Sequence, residues 1–200
     1  HAKIRIHPRI SRVRLYLIRH GETEHNRTQR VQGHGPVPLN ATGIDQVTRL
    51  ARRIASETAL DHIYSSDLAR AADTAREIAK FHPKTPIEFV QILRERDVGE
   101  LQGKKKSEFN WYLEIGESME AMHARAESFL QKVLEKHPTD TVLFVGHNVI
   151  NRALVAVITG KKPEEIKDIE AQKNTCINIF EIDEKKNYKT HTLNCVQHLE

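Results

Sequence analysis

The chain has 200 residues, 38% of them hydrophobic, a size and composition that suit one domain with its own core. No apolar run approaches the roughly 18 residues that a membrane span needs. The net charge of +4 comes without an arginine-rich arm or a basic patch interleaved with aromatic residues, which argues against nucleic-acid binding. We therefore expect no membrane and no nucleic-acid partner.

A single domain is predicted over residues 1–200. Residues 1–12 are basic and without periodicity, so they are expected to be a loose lead-in, and residues 199–200 are expected to be a remnant of cloning. Cys176 and Cys195 lack metal-type spacing and are expected to be unpaired thiols that lie close together. With no recognisable signal peptide, a cytoplasmic location is the expectation.

Apolar periodicity predicts an alternation of strands and helices. A helix is expected to begin at a Thr42 cap, a second at Ser66 or Asp67, and a third at Ser118. A long loop over 22–39 separates the first strand from the first helix. The predicted strands are 13–19, 61–65, 87–93, 141–145, 175–182 and 188–195, and the predicted helices are 42–54, 66–79, 118–136 and about 148–159.

This order is typical of an α/β protein. Strands that alternate with helices form a largely parallel sheet with helices on both faces, and the closing pair of strands reads as a hairpin. The predicted fold is a three-layer α/β/α sandwich with a mostly parallel central sheet and an antiparallel edge.

Two of the predicted strands end in a histidine. His20 follows the first strand, and His147 follows the strand over 141–145. Because the carboxyl ends of parallel strands meet at one edge of a sheet, where ligands bind, the two histidines are expected to converge. His62 and His137, by contrast, fall at element ends and are expected on the surface.

Three charged residues are predicted to reach the same edge. Arg19 precedes His20, Arg70 lies in the first turn of the second helix, and Glu95 follows the strand over 87–93. The planar fork of arginine suits phosphate oxygens. Two arginines, two histidines and one carboxylate therefore predict a phosphoryl-transfer site that needs no metal.

The chain resembles the histidine phosphatase superfamily, also called the phosphoglycerate mutase-like family, almost end to end. The resemblance is carried by five segments in order: LIRHGETEHN, SSDLARAADTA, LRERDVGELQG, GES and GHNVINR. Residue 36 departs from the pattern, because this chain has proline where the family usually has aspartate.

The resemblance implies a role for each matching residue. His20 would be the nucleophile that forms a phosphohistidine, and Glu95 would be the general acid. Arg19, Arg70 and His147 would bind the phosphoryl oxygens, with help from Asn26. The remaining substrate-binding positions would be Thr23, Gln32, Gly33 and Asn148. Neither a metal nor a cofactor is implied.

The expected activity is metal-independent hydrolysis of small phosphorylated metabolites by a monomer or homodimer. A mutase primed by bisphosphoglycerate is the alternative, and a non-catalytic phospho-ligand binding module is a remote one. The stretch between Gly103 and Gly116 is shorter than the lid of many relatives, which favours a phosphatase because water must enter. Lys104, Lys105 and Lys106 are expected to be a solvated helix start, although they could bind a second anionic group.

Overall fold

A computed structural model describes residues 11–108 and 115–200. The short helical piece predicted through Trp111 and Leu113 therefore lies outside the described residues. The strands are β1 (Arg12–Arg19), β2 (His62–Ser66), β3 (Ile87–Val90), β4 (Thr141–Gly146), β5 (Ile177–Asp183) and β6 (Tyr188–Cys195). The α-helices are α1 (Glu24–Arg27), α2 (Ala41–Glu57), α3 (Ala69–Ala79), α4 (Met119–Lys136) and α5 (Asn148–Ile158).

The strands form one sheet in the order β3-β2-β4-β1-β5-β6. The first four of these pair in parallel, and β5 and β6 pair antiparallel at one edge. The central strands are apolar on both faces because helices cover both: Leu15 and Leu17 face the α4–α5 layer, and Tyr16 and Ile18 face the α2–α3 layer. The predicted three-layer α/β/α sandwich is confirmed.

The register of β1 against β4 brings the two histidines together. Arg19 of β1 lies opposite Gly146 of β4, so the strands end level with each other. His20 and His147 each follow by one residue, and their ring centroids are 5.0 Å apart. The predicted convergence at the carboxyl edge of the sheet follows directly from this register.

Several predicted boundaries were wrong. The loop over 22–39 contains the one-turn helix α1, which Thr23 caps. β3 ends at Val90, and the three residues that follow it form a 3₁₀ turn instead of continuing the strand. The polar sequence after this turn has no neighbouring strand to pair with, so Glu95 stands on an irregular segment.

Two of the three predicted helix caps were wrong, whereas Ser118 is confirmed as the cap of α4, where its hydroxyl accepts a hydrogen bond from the Ala121 N–H at 3.1 Å. Asn40, and not Thr42, caps α2, and its side-chain oxygen accepts a hydrogen bond from the Gly43 N–H at 2.8 Å. Leu68 precedes α3 without a side-chain cap, because Asp67 is engaged in a bidentate pair with Arg94. Tertiary contacts thus override local cap propensity.

His62 and His137, predicted on the surface, are buried. Tyr64 lies between them in sequence and in space: its hydroxyl is 2.9 Å from His137 Nε2, and its ring packs 4.3 Å from the His62 ring. Cys176 and Cys195 are unpaired, and only Cys176 is fully buried. The two thiols have different partners: Cys176 Sγ lies 3.3 Å from Gln172 Oε1, and Cys195 Sγ lies 3.3 Å from Arg53 NH1.

The corrected cap makes a simple prediction for stability. Asn40→Ala removes the bond to the Gly43 N–H and should lower the free energy of unfolding by about 1 kcal/mol. Thr42→Ala, at an exposed position two residues further on, should change it by less than about 0.5 kcal/mol. Urea denaturation of both variants measures the difference, and equal losses would contradict the assignment of the cap.

Candidate active site

His20 is buried just after the end of β1, and each of its ring nitrogens has a hydrogen-bond partner. Its Nδ1 lies 2.7 Å from the Gly21 carbonyl oxygen, an acceptor, so Nδ1 carries the proton. Its Nε2 accepts a hydrogen bond from Arg70 Nε at 3.3 Å. The two contacts fix one tautomer, in which the lone pair of a neutral imidazole stands at Nε2.

Arg70 is buried in the first turn of α3. Besides the contact to His20, its NH2 group donates to the Gly33 carbonyl at 2.8 Å and its NH1 group to the Gly35 carbonyl at 3.0 Å. Burial lowers the pKa of Arg70 to about 10, which leaves it charged at neutral pH. Arg70 therefore ties the loop that follows α1 to His20.

Arg19 and His147 each present an unpartnered nitrogen. Arg19 donates through NH1 to the Gln172 carbonyl, and His147 Nε2 lies 2.8 Å from the Ser66 hydroxyl. Arg19 Nε and His147 Nδ1 are buried without a hydrogen-bond partner among the described residues. Because buried polar atoms are nearly always paired, two orphans beside a nucleophile fit a site that awaits an anionic ligand.

Glu95 is held at the amino end of α5. Its Oε1 accepts from the backbone N–H groups of Val149 at 3.0 Å, Ile150 at 3.3 Å and Arg96 at 3.0 Å, while Oε2 accepts from the Val149 N–H at 3.2 Å. The two carboxylate oxygens are therefore unequal. Oε2 is the one with capacity for a further partner.

Of these groups, Arg19, Arg70 and Glu95 line a cavity whose volume of about 420 Å³ includes open solvent, whereas His20 and His147 are buried and do not line it. Of the predicted substrate-binding residues, four line the cavity: Asn26, Gln32, Gly33 and Asn148. Thr23 does not: its hydroxyl lies 2.8 Å from Gln32 Oε1 and 3.1 Å from Asn26 Oδ1. Thr23 therefore supports the lining residues from behind.

The segment before β5 contributes residues that the sequence did not single out. Asn174 donates through Nδ2 to the His20 carbonyl and to Asn26 Oδ1, both at 3.1 Å. The Thr175 N–H donates to the carbonyls of Arg19 at 3.1 Å and His20 at 3.2 Å. The only signal in the sequence was a pair of polar residues at the start of the strand predicted over 175–182, and such a pair does not by itself indicate a functional site.

Lys106 corrects the expectation of a solvated lysine run. Lys104 and Lys105 are exposed, but Lys106 is half-buried and lines the cavity together with Arg30. Burial and the nearby Arg19 lower its pKa, whereas Glu95 acts in the opposite direction. The cavity therefore has cationic groups at two places, around His20 and beside Lys106.

Both histidines are held neutral. Burial holds the pKa of His20 well below its ordinary value, and the cations Arg70 and Arg19 lower it further. Burial has the same effect on the pKa of His147, again with Arg70 beside it. A neutral imidazole with an unprotonated nitrogen is what nucleophilic attack on phosphorus requires.

Comparisons with known proteins agree with this geometry. The family model of the histidine phosphatase superfamily (branch 1) matches residues 15–195. The chain belongs to this superfamily.

Within the described ranges no group of three or more histidine, cysteine, aspartate or glutamate side chains could hold a metal ion, and no helix is long and apolar enough to cross a membrane.

Individual relatives indicate which class of enzyme within the superfamily this chain resembles. The chain is 32% identical to phosphoglycerate mutase-like protein 4 of Arabidopsis thaliana, over 93% of this chain and 86% of that protein. It is 37% identical to a metal-independent phosphoserine phosphatase of the same plant, over 72% of this chain and 68% of the relative. A phosphoserine phosphatase variant of Entamoeba histolytica, solved with phosphoserine, superposes with a TM-score of 0.83 at 25% identity, covering 94% of this chain and 100% of that one. The chain is a phosphatase of the histidine phosphatase superfamily.

The lowered pKa of His20 predicts that its ring stays neutral through mildly acidic pH. In ring-¹⁵N NMR of the folded protein, the titration midpoint of His20 should lie well below that of the histidines in the urea-unfolded chain, which titrate near 6.5. Arg70→Met removes a nearby cation and should raise the pKa of His20, although burial keeps it below the ordinary value. A folded-state midpoint near 6.5 in the unsubstituted protein would contradict this account.

Proposed function

We propose that this protein hydrolyses small phosphomonoesters through a phosphohistidine on His20, without a metal. The observation that carries the proposal is the fixed tautomer of His20, whose Nε2 lone pair stands beside Arg70 in a buried pocket. Nε2 attacks phosphorus in line with the ester oxygen, and the P–O bond to that oxygen breaks. Arg19, Arg70 and His147 stabilise the charge on the phosphoryl oxygens.

Glu95 supplies the proton in this scheme. The proton resides on Oε2, since the other oxygen already accepts three N–H groups, and it passes to the departing ester oxygen. In the second half-reaction the carboxylate takes a proton from water, whose oxygen attacks phosphorus and releases inorganic phosphate from His20. Asn26 and Asn148 complete the binding of the phosphoryl group.

We further propose that the substrate carries a second anionic group. Lys106 and Arg30 line the same cavity as Arg19 and Arg70, so a ligand can meet positive charge at two places. Phosphoserine, the substrate in the names of two of these relatives, has a carboxylate besides its phosphate. The two free thiols favour a reducing, cytoplasmic location.

The decisive experiment is incubation with 3-phosphoglycerate and with phosphoserine in the presence of a chelator. Release of inorganic phosphate is expected from the unsubstituted protein, and His20→Ala should lose at least about 10³-fold in kcat because no other group can take up the phosphoryl group. Isomerisation of 3-phosphoglycerate without phosphate release would instead establish the mutase. Activity that survives in His20→Ala would overturn the phosphohistidine, and activity lost to the chelator would overturn metal independence.

The second-anion proposal has its own test. Lys106→Met should raise KM for phosphoserine about 10-fold, equivalent to ~1.4 kcal/mol, with little change in kcat and little change for phenyl phosphate, which has no carboxylate. Lys105→Met, an exposed neighbour, is the matched control and should leave KM unchanged for both substrates. If Lys106→Met raises KM equally for both substrates, Lys106 does not bind the second anionic group.

A further inference from the structure

The segment that carries Glu95 lacks a regular backbone ladder. β3 ends at Val90, the 3₁₀ turn over 91–93 follows, and residues 94–98 have no helix or strand structure. Backbone hydrogen bonds between strands therefore do not set the height of Glu95 above the sheet. Side chains from other elements have to do so.

Arg125 on α4 contacts this segment at three backbone carbonyls. Its NH1 group donates to the oxygens of Ile92 at 2.6 Å and Arg94 at 2.8 Å, and its NH2 group donates to that of Glu95 at 3.3 Å. The planar guanidinium can serve several acceptors at once, which a lysine ammonium on its flexible stem does less rigidly. His34 Nε2 lies 2.8 Å from the same Glu95 carbonyl on its other side.

Glu117 in turn holds Arg125 in place. The carboxylate accepts from Arg125 Nε at 2.6 Å and from NH2 at 3.0 Å, and both side chains are about 19% exposed. Glu117 also exchanges backbone contacts with the same segment, since its N–H donates to the Asp97 carbonyl at 2.9 Å. A bidentate pair in a partly buried setting restricts the guanidinium to one orientation.

We infer that Arg125 is a positioning residue for proton transfer: it fixes the backbone of Glu95 so that the carboxyl group meets the departing oxygen. Proton transfer needs donor and acceptor within hydrogen-bond reach, and a displacement of about 1 Å can cost on the order of 100-fold in rate. The α5 amides hold the carboxylate end of Glu95, and Arg125 holds its backbone end. The inference rests on the proposed role of Glu95 as the general acid.

The effect should depend on the leaving group. Phenyl phosphate needs a proton on its departing oxygen, whereas 2,4-dinitrophenyl phosphate leaves readily as an anion. Arg125→Lys keeps the charge beside Glu117 but loses the three-carbonyl contact. We expect its kcat/KM, which reports the steps up to departure of the leaving group and not the later hydrolysis of the phosphohistidine, to fall about 10-fold or more on phenyl phosphate and less than about 2-fold on 2,4-dinitrophenyl phosphate. A purely structural role would lower both rates by the same factor and would overturn the inference.

Two further variants make the test complete. Arg53→Lys changes another partly buried arginine with a carboxylate partner, Glu57, on the opposite helix layer, and it should alter neither rate. Glu117→Gln loosens Arg125 without removing it and should give the same leaving-group dependence at smaller size, which keeps the test informative if Arg125→Lys does not fold. If Glu117→Gln lowers the rates on the two substrates by the same factor, the inference is rejected.

Glu95→Gln tests the general-acid role of Glu95 separately from the positioning role of Arg125. It should lose far more activity on phenyl phosphate than on the dinitrophenyl ester, and Arg125→Lys should add no further leaving-group dependence in that background. If Glu95→Gln behaves so and Arg125→Lys does not, the positioning role fails while the proposed function stands. If Glu95→Gln shows no dependence, the general-acid role fails, and the role of Arg125 fails with it.

Discussion

The parallel pairing of β1 with β4 is the constraint on which the site depends. Arg19 and Gly146 lie opposite each other, so the residues that follow them, His20 and His147, leave the sheet side by side. A slip of one residue would send these side chains to opposite faces, and the histidines would no longer share a pocket. Side-chain packing holds this register, because a slip would move Leu15 and Leu17 out of their contacts with the α4–α5 layer.

Burial at this edge determines the electrostatics. Removed from water and placed near Arg19 and Arg70, both imidazoles remain neutral, as their lowered pKa values indicate. The arginines stay charged because the guanidinium tolerates burial better than any other cation. The result is a pocket in which neutral imidazoles and charged guanidinium groups stand together, as the proposed phosphoryl transfer requires.

Three arginines organise the irregular segments around the pocket by binding backbone carbonyls. Arg70 contacts the loop after α1, Arg19 contacts the segment before β5 at Gln172, and Arg125 contacts the segment that carries Glu95. Since these segments lack strand partners, the guanidinium groups take over the role that ladder hydrogen bonds have in the sheet. Each irregular segment is thereby tied to a regular element: to helix α3 through Arg70, to helix α4 through Arg125, and to strand β1 through Arg19.

The sequence by itself determined the alternation of strands and helices, and with it the layered fold and the meeting of His20, His147, Arg19, Arg70 and Glu95 at one edge. The fold followed from apolar periodicity, and the candidate site followed from the chemistry of the residue types that come at the ends of the strands. Only the tertiary structure showed that Asn40 caps α2, that Lys106 turns inward, and that Asn174 and Arg125 support the nucleophile and Glu95. The physical reason is that these contacts use backbone carbonyls and amides, which every residue has, so long-range packing alone decides which of them are used.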